Sequence, residues 1–261
     1  AIEVFHNNSI KSLALDGDEN LLAATDNGLY VYQNDKEPLQ HIIHDSRNIQ
    51  SLTNNIIWNI FADQEQNIWL GTDYGISLSR YNSALQFIPI SQITGTGDGN
   101  QFYSLFRDSK GFYWFGGTNG VIRFTHPAGN KHDAIWYRMG DKNHPLSHNR
   151  IRHIYEDREQ QLWIATDGSI NRYDYATRQF IHYNIVDSTG MYNTNWTYYM
   201  FEDTAGQLWI STCLGGIFVV DKHKLMQSAS GQYVAEQNYS VHNGLSGMFI
   251  NQIIPDNEGN V

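Results

Sequence analysis

The sequence is short of cysteine, proline, basic residues and long apolar runs, and each shortage closes off a class of explanation. A single cysteine, Cys213, excludes an internal disulfide framework and any Cys-x-x-Cys metal knuckle. Lys and Arg number 17 against 27 Asp and Glu, a formal net charge of −10. A phosphate-backbone binder needs a basic face, and no cluster of Lys or Arg occurs, so no nucleic-acid partner is expected. No apolar run approaches the roughly 18 to 20 residues of a bilayer span. The longest candidate, Leu208 to Val220, is broken by Ser211, Thr212, Gly215 and Gly216, so no membrane contact by this region is expected. Charged residues make up 17% of the chain, yet 41% is hydrophobic, which is ample for a core and excludes a disordered chain. The chain opens at Ala1 with neither methionine nor an apolar signal stretch, which implies either a removed leader or a piece of something longer.

What the sequence does have is a repeat. Five segments align: 13–32, 60–81, 105–124, 154–174 and 200–221. Their common form is apolar-x-x-Asp, a turn, Leu/Ile-Trp-apolar-Gly/Ala/Ser-Thr, a second turn with Gly, then apolar-x-x-Tyr/Phe. The anchoring aspartates Asp16, Asp63, Asp108, Asp157 and Asp203 are 47, 45, 49 and 46 residues apart. A sixth copy opens at Leu245, carries Asp256, and stops where the next Trp is expected.

Each copy reads as four short strands. The first precedes the Asp, as in Ile56 to Phe61 or Ile151 to Tyr155. Polar turns such as Ser109-Lys110-Gly111 lead into the Trp strand, and Gly turns such as Asp26-Asn27-Gly28 lead into the third. The fourth strand is expected at Gln40–Ile43, Gln86–Pro89, Ile135–Tyr137, Phe180–Tyr183 and Tyr239–His242. Four strands without helical periodicity, repeating near 47 residues, predict an all-β β-propeller of four-stranded blades across 1–261. The repeats run approximately 9–50, 51–98, 99–145, 146–192 and 193–242, with a truncated copy at 243–261. Ile2 to His6 read as the last strand of a preceding blade, which favours a fragment of a larger propeller over the alternative of a smaller one.

Residues that recur in every copy are expected to be structural. Trp69, Trp114, Trp163 and Trp209 would wedge between neighbouring blades. Asp63, Asp108, Asp157 and Asp203 would cap the first turn through backbone amides. Thr25, Thr72, Thr118, Thr166 and Thr212 suit a strand end where the hydroxyl satisfies backbone groups. The third copy has one extra step between Asp108 and Thr118, which a β-bulge there would absorb. Cys213 is expected to be a small buried side chain.

The pattern Asp-x-x-Gly-x-Leu-Trp-Ile-Gly-Thr-x-x-Gly-Leu, with the lead-ins Leu52-Thr53-Asn54-Asn55-Ile56 and Leu146-Ser147-His148-Asn149-Arg150-Ile151, resembles the two-component regulator propeller repeat. The resemblance spans residues 9–261. It departs from the pattern at Leu22, where Trp is expected, and at Asp167-Gly168-Ser169, a shortened Gly turn. The resemblance implies the periplasmic sensor region of a Bacteroidetes hybrid two-component histidine kinase, an inner-membrane protein. It further implies a propeller of about seven blades when intact, an oligosaccharide ligand, a homodimer, a kinase module in the same parent chain, and control of polysaccharide-utilisation genes.

Function is then sought where the copies differ. Five residues before the anchor Asp stand Lys11, Trp58, Tyr103, Arg152, Tyr198 and Asn251. Aromatics and a cation there suit sugar stacking and hydroxyl or carboxylate recognition, with Trp196, Asp73, Tyr74, Asn149 and Asp167 joining from the same rim. The competing reading is that Trp58, Tyr103 and Tyr198 fill the inner ends of the blades. His41 with His44, or His144 with His148, are spaced for metal ligation but lack supporting Cys or acidic ligands, so they read as solvated loop histidines and no metal or cofactor is expected. Asn7, Asn195 and Asn238 head Asn-x-Ser/Thr triplets, acceptors only in a eukaryotic secretory route. An enzyme, whether a propeller lyase or a glycosidase, would need converging arginines or a His–Glu pair. Arg47, Arg107, Arg150 and Arg152 share no inward repeat position, so no catalytic residue is expected. A protein-interaction scaffold is the other alternative.

Overall fold

The computed structural model describes residues 8–33, 38, 40–81, 88–89, 91, 100–125, 133–142, 145–228, 232–256 and 261. Ile2 to His6, Asn7, His144 and the first half of Gln86–Pro89 lie outside the described residues. Two compact units result, Ala1–Thr118 with Ile122–Ile135, and Asn119–Val121 with Trp136–Val261.

The first blade is the sheet of β1 (Ile10–Leu15), β2 (Leu21–Thr25), β3 (Gly28–Tyr32) and β4 (Gln40–Ile42). The second holds β5 (Ile57–Ala62), β6 (Ile68–Thr72), β7 (Gly75–Ser79) and β8 (Ile88–Pro89), and the third β9 (Phe102–Arg107), β10 (Tyr113–Gly117), β11 (Gly120–Phe124) and β12 (Ile135–Tyr137). The fourth holds β13 (Ile151–Glu156), β14 (Leu162–Thr166), β15 (Ser169–Asp174) and β16 (Gln179–Val186). The fifth begins with β17 (Thr197–Glu202), β18 (Gln207–Thr212) and β19 (Ile217–Asp221). A short helix α1 (Lys222–Gln227) and strand β20 (Gln232–Val234) follow, and β21 (Gln237–Tyr239) then closes that blade. In the first, second and fourth blades each successive strand pairs antiparallel with the one before.

Three expectations need correction in the fifth blade. Its fourth strand is Gln237–Tyr239 rather than Tyr239–His242. Neither α1 nor β20 was foreseen; β20 pairs in parallel with β16 and covers the outer edge of the fourth blade. Cys213 is only partly buried.

The recurrent Asp caps its turn and also holds its own Trp. In the first turn of each blade, Oδ1 accepts the backbone N–H four residues on, at 2.8 or 2.9 Å. The other oxygen accepts the indole N–H of Trp69, Trp114, Trp163 or Trp209 at 2.7 to 2.9 Å. In the first blade, where Leu22 replaces Trp, the Asn20 amide donates to Asp16 Oδ2 at 2.8 Å instead. Two of the tryptophans reach into the next blade: Trp69 packs on Tyr113, Phe115 and Phe124, and Trp163 shares a buried cluster with Met200, Leu208 and Phe218, whereas Trp209 stacks on Phe201 and Tyr239 of its own blade.

The third blade contains no insertion. Gly117 occupies the place of Thr72, and Thr118 lies one residue further on, donating to the Asn100 side chain at 2.6 Å. The Thr position keeps its expected role in the other blades, where the hydroxyl donates to the backbone oxygen closing the turn at 2.8 to 3.0 Å. That closing residue has positive φ in all five blades, and it is Gly in four. A Cβ at Gly120 would lie 2.3 Å from the Tyr137 carbonyl, so Gly is required there. Ser169 stands in this position in the fourth blade with φ of 85°, and its Oγ donates to the matching carbonyl, Tyr183 O, at 2.8 Å.

Candidate functional site

A β-bulge occurs in every blade, not only the third. The register between first and second strands slips between Ile10 and Ser12, Ile57 and Asn59, Phe102 and Ser104, Ile151 and His153, and Thr197 and Tyr199. The register passes over Lys11, Trp58, Tyr103, Arg152 and Tyr198. These are the five-before-Asp positions singled out as candidate ligand contacts. A bulge re-aims the extra side chain and kinks the strand, so each blade carries one such residue at the same position of its own first strand.

In the first unit these side chains touch one another in blade order. Lys11 Nζ lies 5.2 Å from the Trp58 ring centre, and Trp58 meets Tyr103 edge-on at 5.4 Å. Asp73, in the turn after β6, accepts the Trp58 indole N–H at 3.0 Å and the Gln101 amide at 2.6 Å. Gln101 in turn accepts the Tyr103 hydroxyl at 2.6 Å. Tyr74 is exposed beside Asp73. Trp58, Tyr103 and Asp73 therefore form one hydrogen-bonded group, and all three are partly buried.

The second unit repeats the arrangement with different chemistry. Arg152 binds Asp167 through two bonds, Nε at 2.7 Å and Nη2 at 3.2 Å, a bidentate pair. Arg150 approaches the same carboxylate at 3.9 Å. The Arg152 guanidinium lies 4.5 Å from the Tyr198 ring centre, and Tyr198 meets Phe249 edge-on at 5.3 Å. Trp196 is tied to this group by its backbone, donating to Asp167 O and accepting from Cys213 N–H, both at 3.0 Å. Phe249 was missed from sequence, although it occupies the Trp196 position of the truncated copy.

The loop entering each first strand and the turn after each second strand meet through the backbone. Gly28 N–H donates to Asn55 O at 2.7 Å, Gly75 to Asn100 at 2.9 Å, and Gly120 to Asn149 at 2.6 Å. Asn149 is thus a lead-in residue whose carbonyl serves the turn. The histidines considered for metal have other partners: His41 stacks on Tyr30 at 4.1 Å, His44 Nδ1 contacts Leu52 O at 2.5 Å, and His148 Nδ1 accepts Arg150 N–H at 3.0 Å.

The two-component regulator propeller repeat matches residues 51–74, 96–119 and 145–168. The chain is 91% identical, over 98% of its length, to the extracellular domain of BT4673 from B. thetaiotaomicron, named as a one-component system, with a TM-score of 0.65. It covers 34% of that solved chain. The extracellular domain of the hybrid two-component system BT3049 from the same organism is 22% identical over 98% of this chain and 31% of its own, with a TM-score of 0.72. Histidine kinase P4 of Formosa agariphila is 26% identical over 193 residues, 68% of this chain and 13% of the kinase. This chain thus spans about a third of the solved domains and a small part of the kinase.

Proposed function

We infer that this chain, which carries two-component regulator propeller repeats and is an all-β β-propeller, is part of the extracytoplasmic sensor of a signalling protein and that its ligand is an oligosaccharide. The observation that supports this most is the row of bulge residues. Lys11–Trp58–Tyr103 in one unit and Arg152–Tyr198 in the other, the latter extended by Phe249, each set one cation against aromatic faces. Aromatic faces stack on the C–H faces of sugar rings, while carboxylate-held cations and amides read hydroxyl groups. The region itself is read as non-enzymatic, with its output in a histidine kinase elsewhere in the same parent chain and its location in the periplasm.

To signal, the ligand must favour one arrangement of the receptor over another. Four blades are pinned by an Asp–Trp bond and the first by Asn20 on Asp16, so the change is assigned to rigid-body rotation between two copies in a homodimer rather than refolding within a blade. The test is a melting-temperature screen of the full extracellular region against plant and host oligosaccharides, since binding to the native state raises that temperature by mass action. A shift with one glycan class, lost in Trp58→Ala or Arg152→Ala, supports the reading. No shift with any glycan in the folded protein overturns it.

A further inference from the structure

We propose that a second, uncharged cleft in the second unit, centred on Trp196, binds a neutral oligosaccharide by stacking. The cleft has a volume of about 410 Å³ and is lined by Met191, Tyr192, Asn193, Asn195, Trp196, Leu214 and Gly215. That volume lies within the roughly 300 to 1,000 Å³ of small-molecule sites. The inference rests on the sensor reading above and assigns the neutral contact to Trp196 and the uncharged side chains beside it, next to the Arg152–Asp167 pair, where Trp196 N–H donates to the Asp167 carbonyl at 3.0 Å.

Trp196 is the reason to look here. Its φ is 55°, the left-handed region that a bulky residue rarely adopts, and it is 47% exposed. Backbone bonds on both sides, to Asp167 O and from Cys213 N–H, hold it in that conformation. Strain of this kind persists where the surroundings over-determine it and gathers at functional sites. Two further apolar side chains are presented beside it, Met191 at 71% exposure and Leu214 at 66%. Such a cluster on a surface marks an interaction site.

The lining chemistry selects the ligand. The apolar side chains supply flat contact for a ring, and the two asparagines supply directional hydrogen bonds. Asn193 Oδ1 accepts the Asn195 N–H at 3.0 Å, which fixes that amide and leaves its NH2 as the donating end. No side chain lining the cleft carries a formal charge. A second cleft of about 320 Å³ shares Met191 and Tyr192 with the first, so a ligand longer than one ring has a path across both. The second cleft carries Asp187 and Glu236. Both carboxyls titrate below the usual range: burial opposes this, but hydrogen bonds from Thr189 and Tyr192 outweigh it at Asp187, and those from the Asp221 N–H and Tyr233 outweigh it at Glu236. These anions would repel uronates and sulfated sugars but not neutral hexose chains. A neutral sugar accepts the asparagine donors and covers the indole.

The test uses the full extracellular protein and isothermal titration with neutral gluco-, galacto- and manno-oligosaccharides of two to six rings, alongside oligogalacturonate and heparin fragments. Trp196→Gly is the informative variant, because glycine suits this backbone and the variant should melt no lower than the parent. The proposal expects a neutral oligosaccharide to bind, at least tenfold more weakly in Trp196→Gly and nearly normally in Trp196→Phe. Neutral binding that Trp196→Gly leaves unchanged overturns it. So does binding of the acidic sugars alone, lost in Arg152→Ala but not in Trp196→Gly, an outcome that would leave the sensor reading standing. Failure of every sugar to bind would sink both. A dimer that dissociates in Trp196→Gly without any sugar effect would assign the patch to a second copy and also overturn the proposal.

Discussion

Lys222 Nζ lies 2.8 Å from Glu202 Oε1, and the ammonium is cut off from water. Asp157 Oδ2 is 3.2 Å away on the facing blade and Glu159 Oε2 is 3.6 Å away. Burial alone would lower this lysine, but the hydrogen bond to Glu202 and the charge of Asp157 outweigh it, and Lys222 titrates above the usual lysine range. The short helix α1 therefore locks the fourth and fifth blades together through the same Asp that holds Trp163. Replacing Lys222 with Met would strand buried carboxylates, and truncating one partner of such a pair costs about 3–5 kcal/mol. Urea unfolding should show a loss of that size, partly restored in Lys222→Met/Glu202→Gln. A loss below about 1 kcal/mol would show that the cluster behaves as a solvated surface pair.

The anchoring aspartates should differ in weight although they share a motif. Asp63 accepts the Trp69 indole at 2.8 Å, the Tyr113 hydroxyl at 3.1 Å from the next blade, and the Asn67 N–H at 2.8 Å. Asp203 holds Trp209 at 2.8 Å and two backbone amides, but Trp209 is partly exposed and water can replace the lost acceptor. Each buried donor left without an acceptor costs roughly 1–3 kcal/mol. Asp63→Ala should therefore lower the unfolding free energy by about 3–4 kcal/mol and Asp203→Ala by about half as much. Equal losses would mean that the turn cap, common to both, carries the effect.

Acid should weaken the second unit through His153. This ring stacks on Tyr199 at 4.0 Å, and its Nδ1 accepts the Met200 N–H at 3.3 Å, the role that Ser12 Oγ plays toward Ile60 N–H in the first blade. Burial pushes the imidazole down from 6.5 to about 3. Between those values the unfolded chain binds a proton that the folded chain refuses, so stability is complete above the unfolded value and falls as pH drops toward 3. His153→Gln retains an acceptor for Met200 and removes the titration. Its unfolding free energy, measured from pH 7.5 to 4.5, should fall less steeply than the parent's; parallel slopes would remove His153 from the account.

The blade was legible because its signals are local: an Asp that caps a turn, a Trp six residues on, and a Gly that must accept positive φ. The bulge was harder to read because its residues share no chemistry, being Lys, Trp, Tyr, Arg and Tyr. A signal was nevertheless present. Ile57 and Ile60, Phe102 and Leu105, and Ile151 and Ile154 are all buried, yet they stand three apart. Strict alternation forbids an odd separation on one face, so one residue must leave the ladder between them. Thr118 stands one step late because register and not residue identity defines the strand end, and Gly117 holds that place. The helix α1 carries too few residues for a periodic signal, and the buried partners of Lys222 come from residues 20 to 65 positions away in sequence. Nothing local announces such a group.

Asp73 offers the sharpest separation of positioning from stability. Its carboxylate holds the Trp58 indole and the Gln101 amide, and Gln101 holds the Tyr103 hydroxyl, so one acceptor orients two aromatic rings. These groups are partly open to water, which can satisfy them when the carboxylate is lost. Asp73→Ala should therefore cost no more than about 1 kcal/mol of stability. If the bulge row reads the ligand, the same change should weaken an oligosaccharide that binds there by roughly tenfold, the equivalent of 1.4 kcal/mol. Asp73→Asn keeps an oxygen at the same reach and should restore most of that affinity, provided the amide turns its oxygen toward Trp58. Loss of affinity in Asp73→Ala with recovery in Asp73→Asn would establish Asp73 as a positioning residue for Trp58 and Tyr103. Full affinity in Asp73→Ala would mean that packing between neighbouring blades orients the two rings by itself, and the bulge would then serve the fold more than the ligand.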